Sequence, residues 1–472
     1  MPVPEAAGAR TVHLRVLEGG RGAPAARERE VPPEVAEEAG RRDARRLGAL
    51  AAALTVFGLV MVDAASPFEA LGSGRSVFSV AERQVLWAVL GTVAYLVCAR
   101  WSLAGLRRVA RAGLVVVAGL LLAVLVPHLG KGSGGSSRWL GAGPITLQPS
   151  ELAKLAFALF AADFVARRRG RADQRREIVT PLGVVLGVLG LLILKQPDLG
   201  TAMVVVAIAA AAWYAGGIEG RLLAGALGII GAVGGVLALS ASYRRARLLA
   251  FLNPFGHAST VGYQLVQSLS ALGSGHLTGS AIASSPAAWF LPNASSDFIF
   301  AAVGNDFGLV GCLGVLAAFG GFAWLGLRIA GRARDPFAAV LATCLTCWVV
   351  FQTIVNVGGV TGVLPDTGIP LPFLSAGGSA LIVVLAATGL LVNIARSPDA
   401  STEPVRAGAR PPAKRPARPV TTRRPVVGPA AARRAAPAGA PRRRGPAHPS
   451  GSPVGARRAA PDVRRATRPV AK

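Results

Sequence analysis

The sequence predicts an all-α polytopic membrane protein with about ten transmembrane helices and a large extracytoplasmic loop between helices 7 and 8. Three observations carry this prediction. Of 472 residues, 52% are hydrophobic and only 16% charged, at a mean hydropathy of +0.48, which is too apolar for an ordinary soluble domain. Apolar runs recur at 47–64, 84–98, 110–127, 150–166, 181–194, 199–215, 222–242, 298–327, 337–359 and 377–396, some of them short for a bilayer that needs ~20 apolar residues. Basic residues gather in alternate short loops, as expected when Lys and Arg are retained on the cytoplasmic side.

Residues 1–46 are polar, with Glu28, Glu30, Glu34, Glu37 and Glu38 preceding Arg41, Arg42, Arg45 and Arg46. No short apolar core with a cleavage site occurs there, so the segment reads as a cytoplasmic tail. With the N-terminus inside, the cytoplasmic loops hold Arg100, Arg107, Arg108 and Arg111, then Arg167 to Arg169, Arg171, Arg175 and Arg176, then Arg221, then Arg328, Arg332 and Arg334. The outer face receives 65–82, 129–149, a short turn near 195–198, the long loop 243–297 and the segment 360–376. An even helix count returns the C-terminus to the cytoplasm.

The segment 397–472 holds 18 Lys and Arg against 3 Asp and Glu, a net +15 of the chain's +27. It has 15 of the 33 prolines and no aromatic residue, a composition that reads as a disordered basic tail. Without aromatics to stack on bases, anionic membrane lipid or an acidic protein fits it better than nucleic acid, and a solvated spacer with no partner fits equally. Cys98, Cys312, Cys344 and Cys347 lie in or beside apolar runs and read as packing residues.

The outer loops carry the chemistry-bearing residues. Tyr243-Arg244-Arg245-Ala246-Arg247 puts three arginines where the positive-inside rule disfavours them, to bind either lipid headgroups or an anionic substrate. Gly262 to Ser268 opens an interfacial helix with Gln264, Gln267 and Ser268 on one face, and glycines 273, 275 and 279 then break it. In Leu147-Gln148-Pro149-Ser150-Glu151-Leu152-Ala153-Lys154, Ser150 suits a helix cap. Glu151 and Lys154, three apart, form either a local ion pair or the lining of a polar cavity behind Arg138 and Trp139. Lys195-Gln196-Pro197-Asp198-Leu199-Gly200 is either a tight turn capped by Asp198 or a functional helix break. Leu364 to Phe373 is a third break, followed by the small-residue run Ser375 to Ser379. Asp297, between the long loop and an apolar run, is either a helix N-cap or a catalytic carboxylate.

In this order, SSRWLGAGPITLQPSELAKL, KQPDLGTA, YRRARLLAFLNP, GYQLVQSL, LPNASSDFIFA and GVLPDTGIPLPFLSAGGS resemble the FtsW/RodA/SpoVE (SEDS) family of bacterial cell-wall polymerases over roughly 47–396. LVPHLGK, WYAGG, RIAGRARDPF and the basic tail look more like the division member than the elongation member. The resemblance implies a ten-helix enzyme that polymerises lipid II at the outer face of the cytoplasmic membrane, at the division septum, beside a class B penicillin-binding protein and other division proteins. It maps the family's catalytic aspartate onto Asp297, its loop tryptophan onto Trp139, and its helix glutamate and lysine onto Glu151 and Lys154. Arg138, Gln196, Asp198, Arg244, Arg247, Gln264, Ser268 and Ser375 fall in the matching blocks and are expected to bind substrate.

One carboxylate suffices for such chemistry, because a lipid pyrophosphate leaves without a protonated acid. Arginines or a divalent cation would balance its charge. The chain departs from the family at Asn305-Asp306, usually Glu-Glu, at Ala376, usually Tyr, at Asp366, usually apolar, and at His276, where glycine is common. An elongation polymerase, a transporter of lipid-linked precursor and a catalytically weak division scaffold are the competing readings.

Overall fold

The computed structural model describes residues 33–67, 76, 78–132, 138–142, 145–170, 173–240, 245–246, 250–280 and 291–397. Expectations for Arg244, Arg247, Glu28, Glu30 and the basic tail from 398 onward lie outside the described residues. The helices are α1 (Pro33–Ala65), α2 (Ser79–Cys98), α3 (Leu103–Leu125), α4 (Pro149–Ala166), α5 (Thr180–Lys195), α6 (Leu199–Ala215), α7 (Gly220–Ser240), α8 (Tyr263–Ser274), α9 (Ile299–Arg332), α10 (Pro336–Val360) and α11 (Gly378–Arg396). All but α8 coincide with apolar runs read from the sequence. Among the described residues, seven helices are long and apolar enough to cross a membrane, and α6 and part of α7 are shorter apolar helices. The apolar α4 carries Glu151, Lys154 and Asp163, all buried.

Two features depart from the apolar pattern. Helix α1 begins at Pro33, well ahead of the apolar run at 47. Its polar turns hold together through Glu37–Arg41 and Glu38–Arg42 pairs four residues apart, at 3.1 and 3.9 Å. Between α3 and α4 a two-stranded antiparallel hairpin forms, β1 (Leu140–Ala142) with β2 (Ile145–Leu147), pairing Leu140 with Leu147.

The centre of the bundle is α10 and α11, whose apolar windows are 67% and 83% buried against 17% and 22% for α2 and α3. Helix α10 packs on α4, α6, α9 and α11, while α11 packs on α1 and α2. One end of the bundle is fastened by charge. Asp43 of α1, buried, accepts from Arg332 and lies 3.2 Å from Arg328 on α9. Arg107 of α3 pairs with Asp335, which also caps α10 by accepting from Ala338 N, and its guanidinium sits over the Phe337 ring. Asp163 of α4 takes Arg167 through both carboxylate oxygens at 2.9 Å.

Helix α9 is broken at Gly308, with φ 63° and ψ −159°. The break frees the amides of Leu309 and Val310, which donate to the carbonyls of His276 and Leu277 at 3.0 and 3.1 Å. His276 itself stands at φ 48°, a left-handed conformation that glycine adopts freely and histidine tolerates. A Cβ on Gly308 would lie 2.5 Å from Gly279 N and from Leu277 carbonyl atoms. Gly308→Ala is therefore expected to destabilise the fold by about 1–3 kcal/mol or more, read as an earlier loss of the monodisperse state on heating in detergent.

Candidate functional site

The end opposite the Asp43 and Arg107 pairs collects the hairpin, the break at 196–198, the 291–298 segment and the turn 361–377. Each is non-helical, so its backbone groups need partners from side chains and neighbouring loops.

Helix α4 opens with Pro149, and its N-cap residue is Gln148, without a side-chain capping bond. Ser150 does not cap it, contrary to the sequence expectation. Its Oγ is buried and donates to Asp198 Oδ2 at 2.8 Å, because the α5–α6 break brings that carboxylate against the start of α4. Asp198 caps α6 through Oδ1, accepting from Thr201 N at 3.1 Å, and takes Gln148 Nε2 at 3.2 Å. The segment is thus the turn capped by Asp198, and its carboxylate also forms a buried polar junction with the start of α4.

Arg138 donates its Nε to the Gln196 carbonyl at 2.9 Å and an Nη to the Pro197 carbonyl, where the C-terminal dipole of α5 favours a cation. Gln196 is fully buried and donates Nε2 to the Leu121 carbonyl at 3.1 Å. Trp139 is half-buried, and its backbone bridges to Lys131.

One turn deeper, Glu151 and Lys154 form the local ion pair, at 2.7 Å, and are almost wholly enclosed. Lys154 Nζ also donates to Gln352 Oε1 at 2.9 Å, shared with Trp348 Nε1 at 2.8 Å, and lies 5.1 Å from a Trp348 ring centroid. Gln352 Nε2 then donates to the Pro370 carbonyl at 2.8 Å. The pair borders a small, mostly apolar cavity shared with Ser375 and Phe373, and neither Arg138 nor Trp139 lines it, so the ion-pair reading is met and the polar cavity behind those two residues is not.

Asp297 is half-buried. The N-cap residue of α9 is Phe298, with no side-chain capping bond, so Asp297 stands one residue outside the cap position. Its backbone is tightly bracketed. Asn356 Nδ2 donates to the Asp297 carbonyl and to the Ile369 carbonyl, both at 2.8 Å. Ser375 Oγ donates to the Ser296 carbonyl at 2.6 Å, and Ala376 N donates to that of Ser295 at 2.8 Å. The carboxylate faces Gly368, where a Cβ would lie 3.4 Å from Asp297 Oδ2 and where φ is +65°. Asp366 holds this turn by accepting from Gly368 N at 3.0 Å, which gives the substituted aspartate a structural task.

Of the remaining sequence-predicted residues, Ser268 is buried and donates to the Val360 carbonyl at 2.8 Å, tying α8 to α10. Gln264 lines a small cavity with Asp366. The departure at Asn305-Asp306 is internally satisfied: Ser274 Oγ donates to Asn305 Oδ1 at 2.8 Å, and Asn305 Nδ2 to Asp306 Oδ1 at 2.9 Å. Asp297, Ser375 and Asp366 therefore meet in one place, with Glu151 and Lys154 joined to it through Gln352. Sequence reasoning missed Gln352 and Asn356, although two amides four residues apart in an otherwise apolar helix are a detectable signal. Among the described residues no three His, Cys, Asp or Glu side chains gather as a metal-binding set.

Residues 45–399 match the FTSW_RODA_SPOVE family, described as cell cycle protein. The chain is 38% identical over 362 residues to the probable peptidoglycan glycosyltransferase FtsW of Mycobacterium tuberculosis, covering 76% of this chain and 69% of that one. It is 37% identical over 347 residues to stage V sporulation protein E of Bacillus subtilis, covering 73% and 94%. Among solved structures it resembles a chain from a study of how a peptidoglycan synthase complex coordinates polymerization and crosslinking, with TM-score 0.62, 27% identity and coverage of 75% and 97%. It also resembles the Thermus thermophilus rod shape determining protein RodA, with TM-score 0.56, 25% identity and coverage of 75% and 96%.

The enclosure of Glu151 and Lys154 sets their mutational behaviour. Lys154→Met alone strands a buried carboxylate and is expected to cost about 3–5 kcal/mol, whereas Glu151→Gln with Lys154→Met should recover much of that loss. Denaturant titration of the purified variants in detergent reads the difference.

Proposed function

Because the chain belongs to the FtsW/RodA/SpoVE family of cell cycle proteins, we propose that it is a multi-pass membrane peptidoglycan glycosyltransferase that polymerises lipid II into glycan strands during cell division. The observation that carries the reading is Asp297, a half-buried carboxylate at a loop-to-helix junction whose carbonyl is held by Asn356, whose two preceding residues are held by Ser375 and Ala376, and whose Oδ2 faces the Cα of Gly368. An acceptor sugar hydroxyl entering against Gly368 would meet a base already in place.

In this reading Asp297 takes the proton of the acceptor hydroxyl as its oxygen attacks the anomeric carbon of the donor, and the lipid pyrophosphate departs with the bonding electrons. Arg245, which is exposed, stands in the stretch suited to balancing that anion together with Arg244 and Arg247. The site end is read as the outer face, since the arginine-rich ends of α1, α3, α4 and α9 lie at the other end of the bundle. Lys154 lies only about 8 Å along α4 from its first residue, on the side of Asp297, which favours surface chemistry over a midplane transport site. A class B penicillin-binding protein as transpeptidase partner is supported by the likeness to a chain of a peptidoglycan synthase complex. The basic tail is read as binding anionic lipid or division proteins at the septum.

The test is lipid II polymerisation by the protein reconstituted with its cognate transpeptidase. Asp297→Asn, which keeps shape and removes the base, is expected to lower polymer yield on the order of 10²-fold or more. Equal yield from both proteins would contradict the assignment, and labelled lipid II flipped by both with polymer from neither would favour transport.

A further inference from the structure

Asn356 belongs to α10, whose burial leaves this side chain 5% exposed. Its Nδ2 makes two bonds of equal length, one to the carbonyl of Asp297 itself and one to the carbonyl of Ile369, both at 2.8 Å. Its Oδ1 is buried with no hydrogen-bond partner among the described residues. A buried amide with a stranded acceptor is an unfavourable way to fill space, so the two donations must account for its presence. Both go to carbonyls of irregular segments, and neither bond supports a helix of its own.

The geometry of the two segments makes that bridge consequential. Ile369 follows Gly368, whose Cα faces Asp297 Oδ2 closely enough that a Cβ would stand 3.4 Å away. The separation between the Asp297 carbonyl and the Ile369 carbonyl therefore governs how far the carboxylate stands from the surface it faces. The neighbouring brackets act elsewhere: Ser375 holds Ser296, and Ala376 N holds Ser295. The Asn356 bond is made to the backbone of Asp297 itself.

We propose that Asn356 is a positioning residue for glycosyl transfer, one that sets the stand-off between the Asp297 carboxylate and the Gly368–Ile369 backbone without touching substrate. The proposal rests on the reading of Asp297 as the base. Loss of the amide frees the Asp297 carbonyl, lets the carboxylate leave its reacting geometry, and leaves substrate affinity nearly unchanged, since on the reading above the charged pyrophosphate is held by the arginine stretch and not by this turn. Displacement of a catalytic group by as little as an ångström is sufficient for a large rate loss.

The experiment is steady-state lipid II polymerisation by the full-length protein with its transpeptidase, comparing Asn356→Ala, Asn356→Asp and Asn356→Gln with wild type. Asn356→Ala is expected to lower kcat roughly tenfold or more while KM for lipid II stays within about twofold. Asn356→Gln, which keeps an amide donor on a longer stem, is expected to recover part of the kcat loss. Should the alanine variant not give monodisperse protein, Asn356→Asp, of matching size, carries the test by the same split between kcat and KM. A wild-type kcat in the alanine or aspartate variant overturns the proposal, as does a loss expressed entirely in KM. Wild-type activity of Asp297→Asn would remove the base assignment and this inference with it. An inactive Asp297→Asn beside a fully active Asn356→Ala removes the inference alone.

Discussion

The structure depends on one constraint: irregular backbone at the end of a largely apolar bundle must find its hydrogen bonds within the protein. Here the answer is α10, whose amides at Gln352 and Asn356 are one turn apart and reach the carbonyls of Pro370, Ile369 and Asp297. The same Gln352 receives the ammonium of Lys154 through its other end. A single central helix thereby joins the buried ion pair of α4, the turn between α10 and α11, and the carboxylate before α9. Hydroxyls complete the scheme: Ser379 and Ser150 bond neighbouring segments, and Ser375 bonds both its own turn and the Ser296 carbonyl.

The opposite end is fastened by ion pairs between helices, whereas the site end combines one buried ion pair with carboxylates, amides and hydroxyls that bond irregular backbone. Asp43 ties α1 to α9, and Asp335 ties α3 to the start of α10, with partners that remain about one-third exposed. Helix α9 spans both regimes. It is held by Asp43 at its C-terminal end, broken at Gly308, and preceded by Asp297, so the short segment 299–307 is positioned by the loops around it rather than by the long helix beyond the break.

Much of this was legible in the sequence, and for a clear reason. The apolar runs foretold α2 to α7 and α9 to α11 because burial in hydrocarbon is a property of composition over a window, which needs no knowledge of tertiary partners. The polar blocks foretold that Asp297, Ser375 and the Glu151–Lys154 pair would gather at one end. The early start of α1 was hidden because its first turns are polar and are stabilised by i,i+4 pairs and by Asp43. The strands at 140–142 and 145–147 were hidden because three residues each are too short to show a strand periodicity, and the break at Gly308 because it is completed by the distant carbonyls of His276 and Leu277. Ser150 was read as a local cap because its true partner, Asp198, comes from another helix junction. Gln352 and Asn356 went unread for a similar reason: an amide in an apolar helix declares that it has partners, but only the fold says which.

The measurement that bears most directly on Asp297 as the base is the pH dependence of the polymerisation rate at saturating lipid II. A single carboxylate that must be ionised to accept the proton gives a rate that falls on the acid side with unit slope, and Asp297→Asn should lack that limb in whatever slow activity it retains. An Asp297→Asn enzyme that keeps the wild-type rate and the same acid limb would contradict the account.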